Sequence, residues 1–113
     1  VSIAGKVTNS SEATTVASTT QSQIASFVAA SFRSAKLLVQ IYDSVTGEVQ
    51  ISELLVAHNG TTASATEYGV VYTGTSALAN FDVDINTGNV RLLATRSTAN
   101  STQYKVSETL IVA

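Results

Sequence analysis

His58 is the only histidine in the chain, and histidine is the side chain that most often transfers protons in catalysis. A Ser-His-Asp site would need His58 together with one of 15 serines and one of three aspartates, and no Gly-x-Ser-x-Gly segment accompanies it. Because His58 directly precedes the turn-forming pair Asn59-Gly60, a polar residue at a strand end accounts for it. We therefore do not expect a catalytic role for His58.

Three glutamates, Glu48, Glu53 and Glu67, are candidates for the carboxyl pair that glycosidases use. Carbohydrate clefts normally also present stacking tryptophans, and the chain has no Trp. The sequence therefore predicts a protein that is not an enzyme, with no catalytic residues and no cofactor.

The segment Asp82-x-Asp84-x-Asn86-x-Gly88 places oxygen-bearing side chains on alternate residues before a glycine, as calcium-binding loops do. Its glycine stands at the seventh place instead of the sixth, and the bidentate Glu expected further on is absent. Alternation with Phe81 and Val83 also explains the two carboxylates as the solvent face of a strand. We predict this structural role and no metal site, with Ca²⁺ as the alternative.

The charged residues are few, at 12% of the chain, and the six cations are outnumbered by eight acidic residues, for a net charge of −2. Nucleic-acid binding needs clustered cations, so we expect no nucleic-acid partner. No apolar run approaches the roughly 18 residues of a membrane helix, so we expect no membrane partner either. Four cations are expected to pair with acidic residues across strands, namely Arg33, Lys36, Arg91 and Arg96.

The composition indicates β-structure, since Ser and Thr make up 31 of the 113 residues and Val another 14. No Cys is present, and Met is absent even at position 1, so we expect a processed or truncated part of a longer product. Strands are predicted at residues 23–32, Lys36–Asp43, Glu48–His58, Thr66–Thr73, Leu78–Ile85, Val90–Thr95 and Gln103–Val112. This spacing predicts an all-β antiparallel β-sandwich, jelly-roll or immunoglobulin-like, of about seven to eight strands.

The apolar alternation also predicts the core and two local irregularities. At Leu54-Leu55 the alternation slips, which a β-bulge or burial on both faces would explain. Asn59-Gly60 is predicted to form a two-residue hairpin turn with positive φ at both residues. The predicted core comprises Leu38, Ile41, Ile51, Leu54, Val56, Val71, Phe81, Val83, Ile85, Leu92, Val106 and Ile111.

Residues 1–22 are predicted to be an N-terminal arm or linker, and residues 23–113 the β-sandwich domain. The first segment has ten Ser and Thr residues and only four apolar residues larger than Ala. Burying it within its own domain would recover little free energy against the entropy of ordering it. We therefore expect an adjacent subunit or another protein to order it, with residues 1–8 adding a strand to that neighbour or lying in a groove of it.

Several segments resemble a β-domain of virion structural proteins of tailed phages, especially those that infect cyanobacteria. They run in the same order over residues 32–112: Phe32–Ile41, Ser52–Thr62, Thr66–Gly74, Phe81–Ile85, Gly88–Leu92 and Thr102–Val106. The resemblance implies a non-enzymatic fibre, tail or capsid-surface component located in the virion. It carries over no catalytic residue.

From the resemblance and the composition we expect a structural protein that assembles in multiple copies, contacting other virion proteins and copies of itself. The alternative is a receptor- or glycan-binding module at a fibre tip. Exposed tyrosines would favour that alternative, and the candidates are Tyr42, Tyr68, Tyr72 and Tyr104.

Overall fold

The computed structural model describes the backbone of residues 2–113 and the side chains of residues 4–113. In this range the chain forms nine strands: β1 (Ser2–Ile3), β2 (Val7–Val16), β3 (Ser22–Val28), β4 (Phe32–Asp43), β5 (Val49–His58), β6 (Ala63–Tyr72), β7 (Asn80–Asn86), β8 (Asn89–Thr95) and β9 (Thr102–Val112). The strand pairings of these residues are all antiparallel. No helix within them has the length and apolar character needed to cross a membrane. The predicted all-β class is confirmed.

The strands form two sheets that enclose one core. The large sheet has the order β1-β2-β9-β4-β5-β6, and the small sheet has the order β3-β8-β7. Buried apolar side chains from both sheets meet between them, so the architecture is the predicted antiparallel sandwich. Three connections between the sheets, 17–21, 73–79 and 96–101, gather at the end of the sandwich where Asp43 and Val16 both pair with Thr102.

The strand boundaries differ from the predicted ones mainly at three places. β4 begins at Phe32 instead of Lys36, β6 begins at Ala63 instead of Thr66, and β3 ends at Val28 instead of residue 32. β4 and β5 form the predicted hairpin, with Tyr42 opposite Val49. Gly47 in the connecting turn has φ +79°, which glycine adopts without the strain that a side chain would cause.

The predicted core is partly right. Ile41, Leu54, Val56, Leu92 and Val106 are buried between the sheets. Phe81, Val83 and Ile85 are partly buried and pack against that core. The prediction is wrong for four residues, which are exposed instead: Leu38, Ile51, Val71 and Ile111.

The physical reason for this error is that strands β4 and β5 carry apolar residues on both faces. On β4 the structure buries Leu37 and Val39 and exposes Leu38. On β5 it buries the polar Gln50 and Ser52 and exposes Ile51. Successive residues of a strand point to opposite faces of the sheet, so an error of one residue exchanges the buried and the exposed sets. The presence of an apolar side chain was therefore not enough to identify the buried face.

The polar residues buried at one end of the sandwich form a connected network around Arg96. Its Nη1 donates to Asp43 Oδ2 at 2.9 Å and to Thr102 Oγ1 at 2.6 Å, and its Nε donates to the Leu78 carbonyl at 2.9 Å. Asn100 Nδ2 donates to the same Asp43 oxygen at 3.0 Å. Arg96 therefore ties β4 and β9 of the large sheet to the connection that leads into β7 of the small sheet.

Asp43 also organises the turn that follows β4. Its Oδ1 accepts hydrogen bonds from the Val45 and Thr46 N–H groups at 2.9 and 3.1 Å. Burial by itself would raise the pKa of this carboxyl, but the hydrogen bonds from Asn100, from the turn amides and from Arg96 hold the pKa of Asp43 well below its usual range. Asp43 is thus a carboxylate with partners on both oxygens, as a buried charge requires.

Two of the predicted local features occur in altered form. The β5–β6 register shifts between Glu53 and Leu54, where Tyr68 is the extra residue on β6, so the predicted bulge lies on the partner strand. The Asn59-Gly60 turn is a four-residue loop in which Gly60 has φ +98° and Asn59 does not have positive φ. The Asn59 side chain instead accepts the Thr62 N–H at 2.9 Å, so the two-residue prediction is wrong.

The predicted arm is a strand of its own sheet from Val7 to Val16. β2 pairs with β9 over ten residues, from Val7 opposite Ile111 to Val16 opposite Thr102. The expectation that only a neighbour could order this segment is therefore wrong, because backbone pairing with β9 does not require large side chains. The separation of the chain into residues 1–22 and 23–113 stays a prediction.

Arg96→Met should destabilise the protein by about 3 to 5 kcal/mol, because it leaves the Asp43 carboxylate buried without its counter-ion. Arg91→Met is the matched control, since Arg91 pairs with Asp84 at a partly exposed site where the cost should stay near or below about 1 kcal/mol. Urea denaturation of both variants measures the difference. Equal midpoints for the two variants would contradict the structural role of the buried pair.

Deleting residues 1–22 should lower the free energy of unfolding by roughly 2 kcal/mol or more, which is roughly 8 °C in Tm. The deletion removes ten paired residues from β9 and uncovers the inner side chains beside them. A deletion of residues 1–6, which leaves β2 complete, is the control and should have a much smaller effect. Thermal denaturation followed by circular dichroism compares the two, and an unchanged Tm for the longer deletion would restore the arm model.

Candidate functional site

The outer face of the large sheet, which points away from the small sheet, carries a group of exposed apolar side chains. On β4, β5 and β9 they alternate with the buried core residues. We call this group the apolar outer patch; its members, between 38% and 68% exposed, are Leu38, Ile51, Leu55, Val71 and Ile111. Four of the five are the residues that were wrongly predicted to be core.

The strand register brings several of these side chains together across the sheet. Ile51 on β5 lies directly opposite Val71 on β6. Leu38 on β4 lies opposite Glu53 and is a diagonal neighbour of both Ile51 and Leu55 on β5. The apolar outer patch is therefore a cluster across strands β4, β5 and β6, with polar and charged side chains between its apolar members.

Charges at the centre of this face are paired with each other. Lys36 Nζ lies 3.2 Å from Glu53 Oε1, and the Tyr68 hydroxyl donates to the same carboxylate. The hydrogen bonds from Tyr68 and then Lys36 lower the pKa of Glu53, and the bond to Glu53 raises the pKa of Tyr68. Lys36 thereby confirms the predicted cross-strand pairing.

Two shallow depressions lie on the outer face, and apolar outer patch residues line both. One of about 700 Å³ is bordered by Leu55, Ile111, Lys36, Thr66 and Thr109. The other, of about 550 Å³, is bordered by Leu38, Ile51, Gln40, Lys105 and Ser107. The face therefore has concave areas in which a side chain of a partner can be accommodated.

His58 has a structural role at the opposite end of the sandwich from Arg96. Its Nδ1 accepts the Gly60 N–H at 3.0 Å, so its Nε2 carries the proton and donates to the Phe32 carbonyl at 2.6 Å. The ring is buried, and its centroid lies 6.3 Å from that of Phe27. Both ring nitrogens are used within the fold, which leaves none for acid–base chemistry.

The carboxylates that were candidates for a hydrolytic pair have other surroundings. Glu53 is held by Lys36 and Tyr68, Glu48 lies against Gly74, and Glu67 is exposed on β6 opposite Leu54. The part of the chain that the structure describes contains no group of three or more acidic or histidine side chains placed to hold a metal ion.

The candidate calcium segment forms strand β7 and the turn into β8. Arg91 on β8 donates two hydrogen bonds to the carboxylate of Asp84, from Nε to Oδ1 at 2.8 Å and from Nη2 to Oδ2. These hydrogen bonds lower the pKa of Asp84. Asp82 accepts its neighbour's N–H at 2.8 Å, and Thr87 and Gly88 form a two-residue turn with positive φ. Asp84 and Arg91 therefore form the predicted cross-strand ion pair.

The four tyrosines do not form one exposed cluster. Tyr104 is buried in the core, Tyr42 is half-buried, and Tyr68 and Tyr72 are exposed on β6. A binding surface built from all four is therefore excluded.

Glu108, which is not among the residues predicted to be functional, is buried on the inner face of β9. Its Oε2 accepts the Ser10 hydroxyl at 2.6 Å. Alternation with Tyr104, Val106 and Leu110 was the available signal, because it assigns residue 108 to the inward face.

Comparisons with known proteins identify the fold. No protein-family model matches the chain, and no curated protein matches it in sequence. The crystal structure of the Acinetobacter baumannii phage AM24 tailspike protein matches 96% of the chain with a TM-score of 0.56 and 8% identity, over 26% of its own length. A tailspike protein from a further Acinetobacter phage matches 94% of the chain, with a TM-score of 0.52 and 22% identity, over 22% of its length.

A third similar structure is the tailspike protein gp49 of Acinetobacter baumannii bacteriophage Fri1, a capsular polysaccharide depolymerase. It matches the whole chain with a TM-score of 0.52 and 14% identity, over 21% of its own length. The chain thus has the fold of a β-domain within phage tailspike proteins and spans about a fifth to a quarter of their length. The expected cyanobacterial origin finds no support in these structures.

The tailspike comparison corrects the prediction that the protein is not an enzyme. That prediction was based on His58 and the glutamates of this chain, and on a resemblance to structural virion proteins. One of the similar structures belongs to a depolymerase. The fold therefore occurs within an enzyme and is not a mark of non-enzymatic particle components.

The neighbours Leu54 and Leu55 provide a test of which face of the large sheet belongs to the core. Leu54→Ala should cost about 2 to 5 kcal/mol, because Leu54 is 2% exposed and its removal leaves a cavity. Leu55→Ala should change the stability of the isolated chain by about 0.5 kcal/mol or less, because Leu55 is 49% exposed. Denaturant midpoints measure both, and a larger loss for Leu55 would reverse the assignment of faces.

Proposed function

We propose that the chain is a domain of a phage tail spike or tail fibre protein, and that the apolar outer patch is the surface through which it packs against further copies of itself in the virion. The observation that carries this proposal is the cluster of exposed apolar side chains on the outer face of the large sheet, whose members on β4, β5 and β6 are direct or diagonal cross-strand neighbours. The similarity of its fold to domains of three tailspike proteins supports the location in a tail structure.

The distribution of polar residues supports a covered outer face. β5 buries Gln50 and Ser52 and exposes Ile51 and Leu55. A strand with one solvent-exposed face normally shows the reverse, with apolar residues inside and polar residues outside. An isolated domain gains no free energy from exposed apolar side chains. Contiguous exposed apolar side chains typically mark protein–protein contact surfaces.

The charges on the face are compatible with a second copy as the partner. Glu53 at its centre is already paired with Lys36 and Tyr68, so two copies can cover each other without burying an isolated carboxylate. The small net charge of −2 gives little repulsion between copies. Copies of one chain are therefore the partner that this surface fits, and other virion proteins are the alternative.

The test is self-association of the 113-residue chain measured by sedimentation velocity over a range of concentrations. Ile51→Lys and Leu55→Lys should each weaken association at least about tenfold, because each places a charge in the centre of the contact. Val45→Lys is the control, since Val45 is exposed in the β4–β5 turn and lies off the patch.

Two results would contradict the proposal. One is a wild-type chain that stays monomeric at high concentration, and the other is association that the two patch variants and Val45→Lys affect equally. Unchanged Tm values for all three variants would separate a lost contact from a lost fold.

The second candidate function is carbohydrate contact through β6. The depolymerase among the similar structures acts on capsular polysaccharide, and Tyr68 and Tyr72 of β6 are exposed. Binding of Acinetobacter capsular polysaccharide by a monomeric wild-type chain, lost on Tyr72→Ala, would favour this function over self-association.

A further inference from the structure

Glu108 is an ionisable side chain in the interior of the sandwich, only 3% exposed. The Ser10 hydroxyl donates to its Oε2, but no donor among residues 4–113 reaches its Oε1. A buried carboxylate normally has donors on both oxygens, because an unpartnered charged oxygen in the interior costs several kcal/mol. The vacant acceptor position therefore indicates a proton on Glu108.

The nearest ionisable group is a second carboxyl. Glu12 on β2 and Glu108 on β9 are diagonal neighbours on the inner face, since Glu12 lies opposite Val106, and the two carboxyls are within hydrogen-bonding reach. Glu12 Oε2 already accepts the Ser26 N–H of β3 at 2.9 Å. Glu12 therefore connects the large sheet, through its own strand, to the small sheet.

The gap beside Glu108 is lined mainly by apolar side chains from both sheets and is too narrow for a water molecule. Its lining comprises Ser26 together with Ala25, Phe27, Leu37, Val56, Val83, Val90 and Leu92. Water in this gap thus cannot supply the missing donor.

We infer that Glu108 is a neutral carboxylic acid that donates its proton to Glu12. This hydrogen-bonded carboxyl pair holds β2 and β3 onto the sandwich only while Glu108 keeps its proton. One O–H then satisfies Glu108 Oε1 and leaves a single negative charge on the pair formed by the buried Glu108 and the half-buried Glu12. That charge is placed on Glu12, where the Ser26 N–H stabilises it. Loss of the proton leaves two like charges on diagonal positions of β2 and β9 and weakens the attachment of both strands.

The charged groups on the surrounding elements do not offset this repulsion. β3 carries no charged residue. On β4 and β5, Lys36 and Glu53 pair with each other on the outer face, and Arg33 is exposed. Asp43 pairs with Arg96 at one end of the sandwich, and both ring nitrogens of His58 are hydrogen-bonded at the other end. On β7 and β8, Asp84 and Arg91 pair with each other, and Asp82, also on β7, is exposed. On β9 the inward titratable neighbour is Tyr104, whose pKa burial raises.

The position of the proton is consistent with the electrostatics of the site. Burial first, and then the carboxyl of Glu12, raise the pKa of Glu108 to about 8, and the Ser10 hydrogen bond opposes them. The folded protein therefore binds this proton more tightly than the unfolded chain, in which a Glu titrates near 4.5. The carboxyl pair contributes its full stability to the fold below about pH 4.5, and this contribution is lost progressively as the pH rises to about 8.

The experiment compares wild-type chain with Glu108→Gln between pH 5 and pH 9. Gln keeps the shape of the protonated acid, donates to Glu12 through its amide nitrogen and cannot ionise. The Tm of the wild type should fall over this range more than that of Glu108→Gln. The protection factor of the Ser26 amide, which corrects for the base catalysis of exchange, should fall in the wild type alone. Other titrating groups contribute equally to both proteins and cancel in the comparison.

A direct titration makes the inference independent of stability. The carboxyl carbon of Glu108, followed by NMR, should titrate near pH 8, and in Glu12→Gln its midpoint should move to a lower pH because the neighbouring charge is gone. A Glu108 midpoint near 4.5 in the wild type would overturn the inference. Parallel Tm curves for the wild type and Glu108→Gln would overturn it as well.

Discussion

The ion pair between Arg96 and Asp43 is the constraint on which one end of the sandwich depends. Arg96 stands in the connection 96–101, which returns from the small sheet to the large sheet. It donates a hydrogen bond to the carbonyl of Leu78 in the connection 73–79, which runs from the large sheet to the small sheet. Gln50 accepts the Leu78 N–H and donates to Ser52 Oγ at 2.9 Å, so β5 joins the same network. A chain with a thin, Val-rich core thus uses buried hydrogen bonds to fix the relative position of its sheets.

This network also explains why β5 is polar inside and apolar outside. Gln50 must face inward to accept the Leu78 N–H, and Ser52 must face the same way to accept from Gln50. The two-residue period of a strand then forces Ile51 outward. Leu55 faces outward for the same reason, since Leu54 and Val56 are inside. The exposed apolar face of the large sheet therefore follows in part from the position of the polar network on its other face.

The fold class and the strand order along the chain were predictable, because turn residues and alternation are local signals. The inward face of β4 and β5 was not, since Leu37-Leu38-Val39 is apolar on both faces and the decision depends on Arg96, more than 50 residues away. The pairing of β2 was hidden for a similar reason: its hydroxyl-rich sequence is held by backbone bonds to β9, which no side-chain pattern reports. Glu108 illustrates a third limit, because its position could be derived from alternation but its pairing with Glu12 requires the β2–β9 register.

The pairing of β2 with β9 has a mechanical consequence. Val7, near the beginning of the chain, lies opposite Ile111, near its end, and the two strands run antiparallel from there. A force that pulls the two ends of the chain apart acts first on this pair and then on each following pair in turn, so the strands peel apart instead of sliding past each other under a shared load. The resistance of the domain to stretching is therefore set by one residue pair at a time, and the sandwich would lose its first strand long before its core yields.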